Sequence, residues 1–283
     1  MRLQCVNTCS VHGFRVRGRS QDLVRSAARI VVKVGSSSIS GENSGQIAPL
    51  VDALAEAHGR GTEVILVSSG AIAIGMPYLQ LAERPTDLAT QQAAASVGQN
   101  LLIFRYQDSL DRYDIVAGQV LLTASDLDNA THRGNAQRAM ERLMALRILP
   151  IVNENDTVAT HEIRFGDNDR LAALVAILID ADLLVLLSDV DALYTCPPHL
   201  PGAERISHVA SGDPLIGMEF GATKVNGVGT GGASTKITAA RIAAQAGTAV
   251  LVTATGLVAE ALRGEPVGTW FEPSPAPSAQ RIR

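Results

Sequence analysis

Short apolar runs alternate along the chain with longer stretches of helical spacing. Ile30–Val34 (IVVKV), Val64–Val67 (VILV), Val116–Leu122, Leu149–Val152 (LPIV), Leu183–Leu187 (LLVLL) and Ala249–Val252 are predicted strands, most of them closed by small or polar residues. Between them, helical periodicity runs over Ile47–His58, a short stretch ending at Gly75, Thr86 to about Asp111, Asp169–Ile179 and Ala233–Ala246. Arg133–Leu146 is amphipathic, with Ala136, Met140, Leu143 and Met144 on one face. Val158–Phe165 alternates as a hairpin would, and Val267–Phe271 is the expected last strand. Strands that are apolar on both faces belong to a parallel sheet covered by helices. The predicted fold is therefore α/β, a three-layer α/β/α sandwich around a mainly parallel open sheet.

The rest of the chain sets the limits of that domain. Residues 1–28 carry Arg2, Arg15, Arg17, Arg19 and Arg25 against one acid, Asp22, and contain no apolar signal core. They are expected to form a disordered extension, with an organelle transit peptide as the alternative. The domain is expected over 29–272. The segment from Cys196 to Gly232 is rich in Pro and Gly and reads as loops, and 273–283 is a Pro- and Ser-rich tail.

Composition removes several function classes. Of the 283 residues, 46% are hydrophobic and 18% charged, enough to bury a core. Aromatics are only 4%, too few for stacking platforms on single-stranded nucleic acid, and the formal net charge of −4 gives no reason to expect a polyanion partner. No run approaches the ~18 apolar residues of a membrane span. Cys5, Cys9 and Cys196 form no CxxC pair, so neither a zinc knuckle nor a disulfide framework is indicated, and a reducing cytoplasm fits best. The six histidines have no metal-site spacing.

Candidate chemistry gathers where the strands end, the place where open parallel sheets bind ligands. Lys33 interrupts an apolar strand and is followed by Gly35-Ser36-Ser37, whose small side chains let backbone N–H groups approach an anion; an edge-strand lysine facing water is the alternative. Ser68-Ser69-Gly70 sits between a strand and a helix, where N–H groups and a positive dipole end suit a carboxylate, or where a serine merely caps. Asn153-Glu154-Asn155-Asp156 and Gly166-Asp167-Asn168-Asp169 are denser in Asn and Asp than a loop needs and lack EF-hand spacing. Ser188-Asp189 follows the most apolar strand, where an acid can hold lysines or a metal, or simply cap a turn. Gly227 to Lys236 (GVGTGGASTK) opens a helix and is a plausible phosphate cradle; no Gly precedes Lys236, so it is not a Walker A loop. It contains a weak Gly-x-Gly-x-x-Gly match, on which an NAD-binding enzyme is the alternative.

Together these segments resemble the amino acid kinase family, and within it the members that phosphorylate free glutamate. The likeness rests on VVKVGSSS (31–38), ILVSSGAIAIG (65–75), QQAAASVGQ (91–99), GQVLLT (118–123), NENDTVATHEIRFGDNDRLAAL (153–174), LLSDVDALYT (186–195) and GVGTGGASTK (227–236). It implies an eight-stranded sandwich, the amino acid held by the N-terminal half and ATP, with Mg²⁺ carried on it, by the C-terminal half. Residue by residue it implies Lys33, Lys236 and Asp189 as catalytic residues, and Ser69, Gly70, Asp156 and Asn168 as the glutamate site. Lys33, Gly35, Ser188, Asp189, Thr230, Gly231, Gly232, Ala233, Ser234, Thr235 and Lys236 would hold ATP. It further implies proline as a feedback inhibitor, homo-oligomers and hand-off to a glutamyl phosphate reductase. Many bacterial members add a C-terminal PUA domain, which is not expected here. Many also have Asp-Pro after the LYT triplet, where this chain has Cys196-Pro197-Pro198. Other kinases of the fold and a non-catalytic glutamate or proline sensor are the rival readings.

Overall fold

In the computed structural model, which describes residues 20–159, 168–215 and 232–275, the strands lie in one eight-stranded sheet of order β3-β4-β2-β1-β5-β9-β10-β8. These are β1 (Arg29–Lys33), β2 (Glu63–Val67), β3 (Ala117–Leu122), β4 (Leu149–Glu154), β5 (Leu183–Ser188), β8 (His208–Val209), β9 (Ala249–Ala254) and β10 (Thr269–Phe271). A separate two-stranded ribbon pairs β6 (Leu193–Tyr194) with β7 (Arg205–Ile206). The six strands from β3 to β9 run parallel, while β10 is antiparallel to β9 and parallel to β8.

The side-chain period of two divides each strand between two cores. Ile30, Val32, Leu183, Val185, Leu187 and Leu251 join one; Val31, Leu184, Leu186, Val250 and Val252 join the other. The first core is closed by α1 (20–26), α2 (Ile47–Gly59), α4 (Leu88–Leu110) and α9 (Val258–Leu262). The second is closed by α5 (Ala124–Asp128), α6 (Ala130–Ala145), α7 (Asn168–Leu178) and α8 (Ala233–Gln245). A short α3 (Ala71–Gly75) packs on α4. Two apolar faces on one sheet require two helical layers, and the three-layer sandwich follows.

Three differences from the sequence reading have physical causes. Residues 20–28, counted above with the extension, include α1, whose Val24 and following Ala27 are buried in the first core. The segment is too short to show a helical period, and arginines dominate the charge around it. The Pro- and Gly-rich segment after Cys196 includes β7 and β8, strands of two residues that are too short to show a period. Thr86, read as the helix start, precedes Asp87, whose carboxylate caps α4 by accepting from the Thr90 N–H at 2.8 Å. The expected hairpin over Val158–Phe165 falls largely outside the described residues.

Candidate active site

Lys33 ends β1 on the face of Val31, so the pleat turns it toward α7 and α8. There its Nζ lies 2.6 Å from Asp169 Oδ1, and Lys236 Nζ lies 2.9 Å from Asp169 Oδ2. One carboxylate is thus shared by two ammonium groups, with side-chain exposures of 4%, 0% and 8% for Lys33, Asp169 and Lys236. Asp169 occupies the first turn of α7, where the helix dipole favours an anion. Burial pushes its carboxyl up, but the charges and hydrogen bonds of Lys33 and Lys236 outweigh that and hold it well below the usual carboxylate range.

Lys236 belongs to the first turns of α8, whose N-cap Gly232 brings no side chain over the helix end. The N–H groups of Ala233, Ser234 and Thr235 have no acceptor inside the helix. Thr235 Oγ1 lies 2.8 Å from the Gly232 carbonyl and 3.2 Å from Asp169 Oδ2. Thr230 and Gly231 lie outside the described residues.

Beside the lysines, two small-residue loops meet. Gly70 is the N-cap of α3 at φ 101°, a left-handed conformation that glycine adopts without strain, and a Cβ there would lie 3.5 Å from Ser36 Cα. The Ser68-Ser69-Gly70 loop therefore abuts Gly35-Ser36-Ser37. Asn168 Nδ2 reaches the Ser68 carbonyl (2.6 Å), Ser69 Oγ (2.9 Å) and Asn153 Oδ1 (2.8 Å), binding α7 to the ends of β2 and β4. Asp156 is half-buried in the turn after β4, its N–H donating to the Glu154 carbonyl at 2.9 Å.

Asp189 is placed differently from the lysines. It accepts from Ser37 Oγ at 3.2 Å and Ser38 Oγ at 3.3 Å. Thr255 Oγ1, after β9, reaches Ser38 Oγ (3.0 Å) and the Ser188 carbonyl (3.3 Å). These contacts join the carboxyl ends of β1, β5 and β9 in a second hydroxyl-rich cluster. Among the described residues, the acid that both lysines share is Asp169, which the sequence motifs do not single out. A signal was present: Ala172, Ala173 and Ala176, at i+3, i+4 and i+7, share the buried stripe of α7 with it. An acid heading an otherwise apolar stripe needs a partner. Gln99 was also passed over; its Oε1 accepts from Asn153 Nδ2 at 2.6 Å.

Among the described residues, no group of three or more His, Cys, Asp or Glu could hold a metal ion, and no helix is long and apolar enough to cross a membrane. The arrangement suits the placing of anions: two ammonium groups on one buried acid, flanked by serine loops, asparagine amides and a helix N-terminus.

A model of the amino acid kinase family matches residues 28–254. The glutamate 5-kinase of Leifsonia xyli subsp. xyli is 77% identical over 251 residues, covering 89% of this chain and 93% of the relative. That of Thermobifida fusca is 55% identical over 261 residues, covering 91% of this chain and 67% of the relative. Among solved structures, carbamate kinase from Giardia lamblia bound to AMP-PNP superposes with a TM-score of 0.65 at 15% identity, covering 88% of this chain and 99% of that one. The chain belongs to the amino acid kinase family.

Proposed function

We propose that the protein transfers the γ-phosphoryl group of ATP to the side-chain carboxylate of free L-glutamate, giving glutamyl 5-phosphate, the first intermediate of proline synthesis. The observation that carries this reading is the convergence of Lys33 and Lys236 on buried Asp169, directly beside the Ser69–Asn168–Asn153 network. The names of relatives at 77% and 55% identity select glutamate among acceptors.

The chemistry asks little of a general base. A γ-carboxylate has a reference pKa near ~4.3 and is ionised at neutral pH, so it attacks without prior proton loss. The obstacle is the approach of one anion to another. Lys33 and Lys236 would neutralise charge on the transferring group, and Asp169 would hold both ammonium groups in place. The first-turn N–H groups of α8 and the loop at Gly35 would bind phosphate oxygens. Ser69, Gly70, Asp156 and Asn168 would bind glutamate: Asp156 can accept from its ammonium group, and Ser69 and the Asn168 amide can meet its carboxylate. Ser188, Asp189 and the Gly232–Lys236 turn form the nucleotide side. Mg²⁺ would arrive on the ATP phosphates, since it keeps several waters and needs few protein ligands; an oxygen-rich cluster such as that around Asp189 suits it.

The same reading includes a kinase domain over the expected 29–272 together with α1, which packs into its first core, proline competing at the glutamate site, homo-oligomers, hand-off of the labile acyl phosphate to a reductase, and a cytoplasmic setting.

The test is acyl-phosphate formation from Mg-ATP and L-glutamate, trapped with hydroxylamine, against N-acetylglutamate, aspartate and nucleoside monophosphates. Trapped glutamyl hydroxamate, decreasing as proline is added, is the expected result. Turnover of another acceptor with none of glutamate would sink the assignment, and ligand-induced stabilisation without ADP release would favour a sensor.

A further inference from the structure

We propose that Gln99 is a positioning residue for the acceptor side of this site, acting through Asn153; the inference rests on the glutamate-kinase reading above. Gln99 lies on α4, outside the loops that form the site, and its Oε1 accepts from Asn153 Nδ2 at 2.6 Å. The orientation of both amides is dictated by the backbone. The Glu154 N–H donates to Asn153 Oδ1 at 2.9 Å, so that atom must be the oxygen. Asn168 Nδ2 donates to the same oxygen at 2.8 Å. Asn153 Nδ2 therefore faces α4, and Gln99 must meet it with its own oxygen.

That choice has a cost. Gln99 Nε2 is buried with no hydrogen-bond partner among the described residues. A buried amide nitrogen without an acceptor is destabilising, and an apolar side chain of similar length would avoid it. The acceptor oxygen that Asn153 Nδ2 meets accounts for a glutamine at this position. Without it, Asn153 Nδ2 would lose its partner and the Asn153 amide could turn, withdrawing Oδ1 from Asn168. Asn168 in turn donates to Ser69 Oγ and the Ser68 carbonyl. A single relay, Gln99–Asn153–Asn168–Ser69, thus runs from α4 through the end of β4 and the start of α7 to the loop after β2. It fixes two of the polar side chains assigned to glutamate and does not include the lysines.

The experiment is a double-mutant cycle between Gln99→Met and Asn153→Ala, read as KM for L-glutamate, KM for Mg-ATP and kcat. Gln99→Met should raise the glutamate KM at least fivefold and leave the ATP KM within twofold. In the Asn153→Ala background the same substitution should change the glutamate KM less than twofold, because the residue it acts through is gone. Gln99→Glu, which keeps an acceptor oxygen toward Asn153, should lie nearer the wild type than Gln99→Met does, and it decides the question if Gln99→Met does not fold. An unchanged glutamate KM in Gln99→Met would overturn the proposal. So would an equal effect in both backgrounds, or a Gln99→Glu enzyme more impaired than Gln99→Met. Wild-type turnover is read first: if it uses another acceptor, the glutamate assignment alone fails, and the cycle is read on that acceptor.

Discussion

An ionised carboxylate with no exposed surface has lost its hydration, and only partners of opposite charge make that tolerable. Asp169 is such a group, with Lys33 and Lys236 within 2.9 Å. The two ends of the arrangement differ in what their removal does. In Lys33→Ala or Lys236→Ala the carboxylate keeps one ammonium partner. The fold should survive, while kcat falls by orders of magnitude because charge on the transferring group is no longer neutralised. In Asp169→Asn both ammonium groups lose their shared carboxylate. That variant should lose about 3–5 kcal/mol of stability as well as activity. Urea unfolding of the three variants beside steady-state kinetics would check this; equal stability losses would show that Asp169 is not the common anchor. Asp156→Ala should chiefly raise the glutamate KM, and normal glutamate saturation in that variant would remove it from the site. Sequence alone singled out both lysines, since one interrupts a β-branched strand and the other follows a glycine-rich helix start. It could not pair them with Asp169, because Lys236 is 67 residues from that acid and nothing local reports the contact.

At the scale of elements, the close approach of α3 and α4 is set by two glycines. A Cβ on Gly98 would stand 1.7 Å from the Ala71 carbonyl oxygen, and one on Gly75 would stand 1.9 Å from that of Ala94. The obstructing atoms are backbone, so a methyl group fits only if one helix moves. Gly98→Ala and Gly75→Ala should each cost about 1–3 kcal/mol or more, measured as a lower urea midpoint. Because α3 directly follows Ser69-Gly70, the displacement should also raise the glutamate KM; a destabilised variant with normal glutamate saturation would show that the loop moves independently of the helix. The long, Ala-rich α4 was legible from the sequence through its length, yet the reason for a glycine inside it was not, since the constraint lies on another element. The strands were legible because β1, β5 and β9 are buried on both faces and read as unbroken apolar runs. The two-residue β7 and β8 carry no such signal, and their place was fixed only by pairing and by the chain around them.

For the whole molecule, the buried ion cluster makes stability depend on acid in a defined direction. The folded pKa of Asp169 is depressed below its ordinary value of 3.8. Such a group binds protons less readily when folded than when unfolded, so its stabilising contribution is complete above that value and is lost as pH falls through the lower folded value. Lys33, β1, α7 and α8 all meet at this one carboxylate, so its protonation loosens the contact between the central strand and two helices of the second layer. The wild type should therefore keep a constant stability advantage over Asp169→Asn from about pH 7 to about pH 5, and the two curves should converge as pH falls below 3.8. Thermal unfolding midpoints of both proteins across that range would test it. An advantage that persists undiminished to the acid limit would mean that the carboxylate contributes by shape, not by charge. The electrostatic account of how Lys33 and Lys236 are held would then have to be given up along with it.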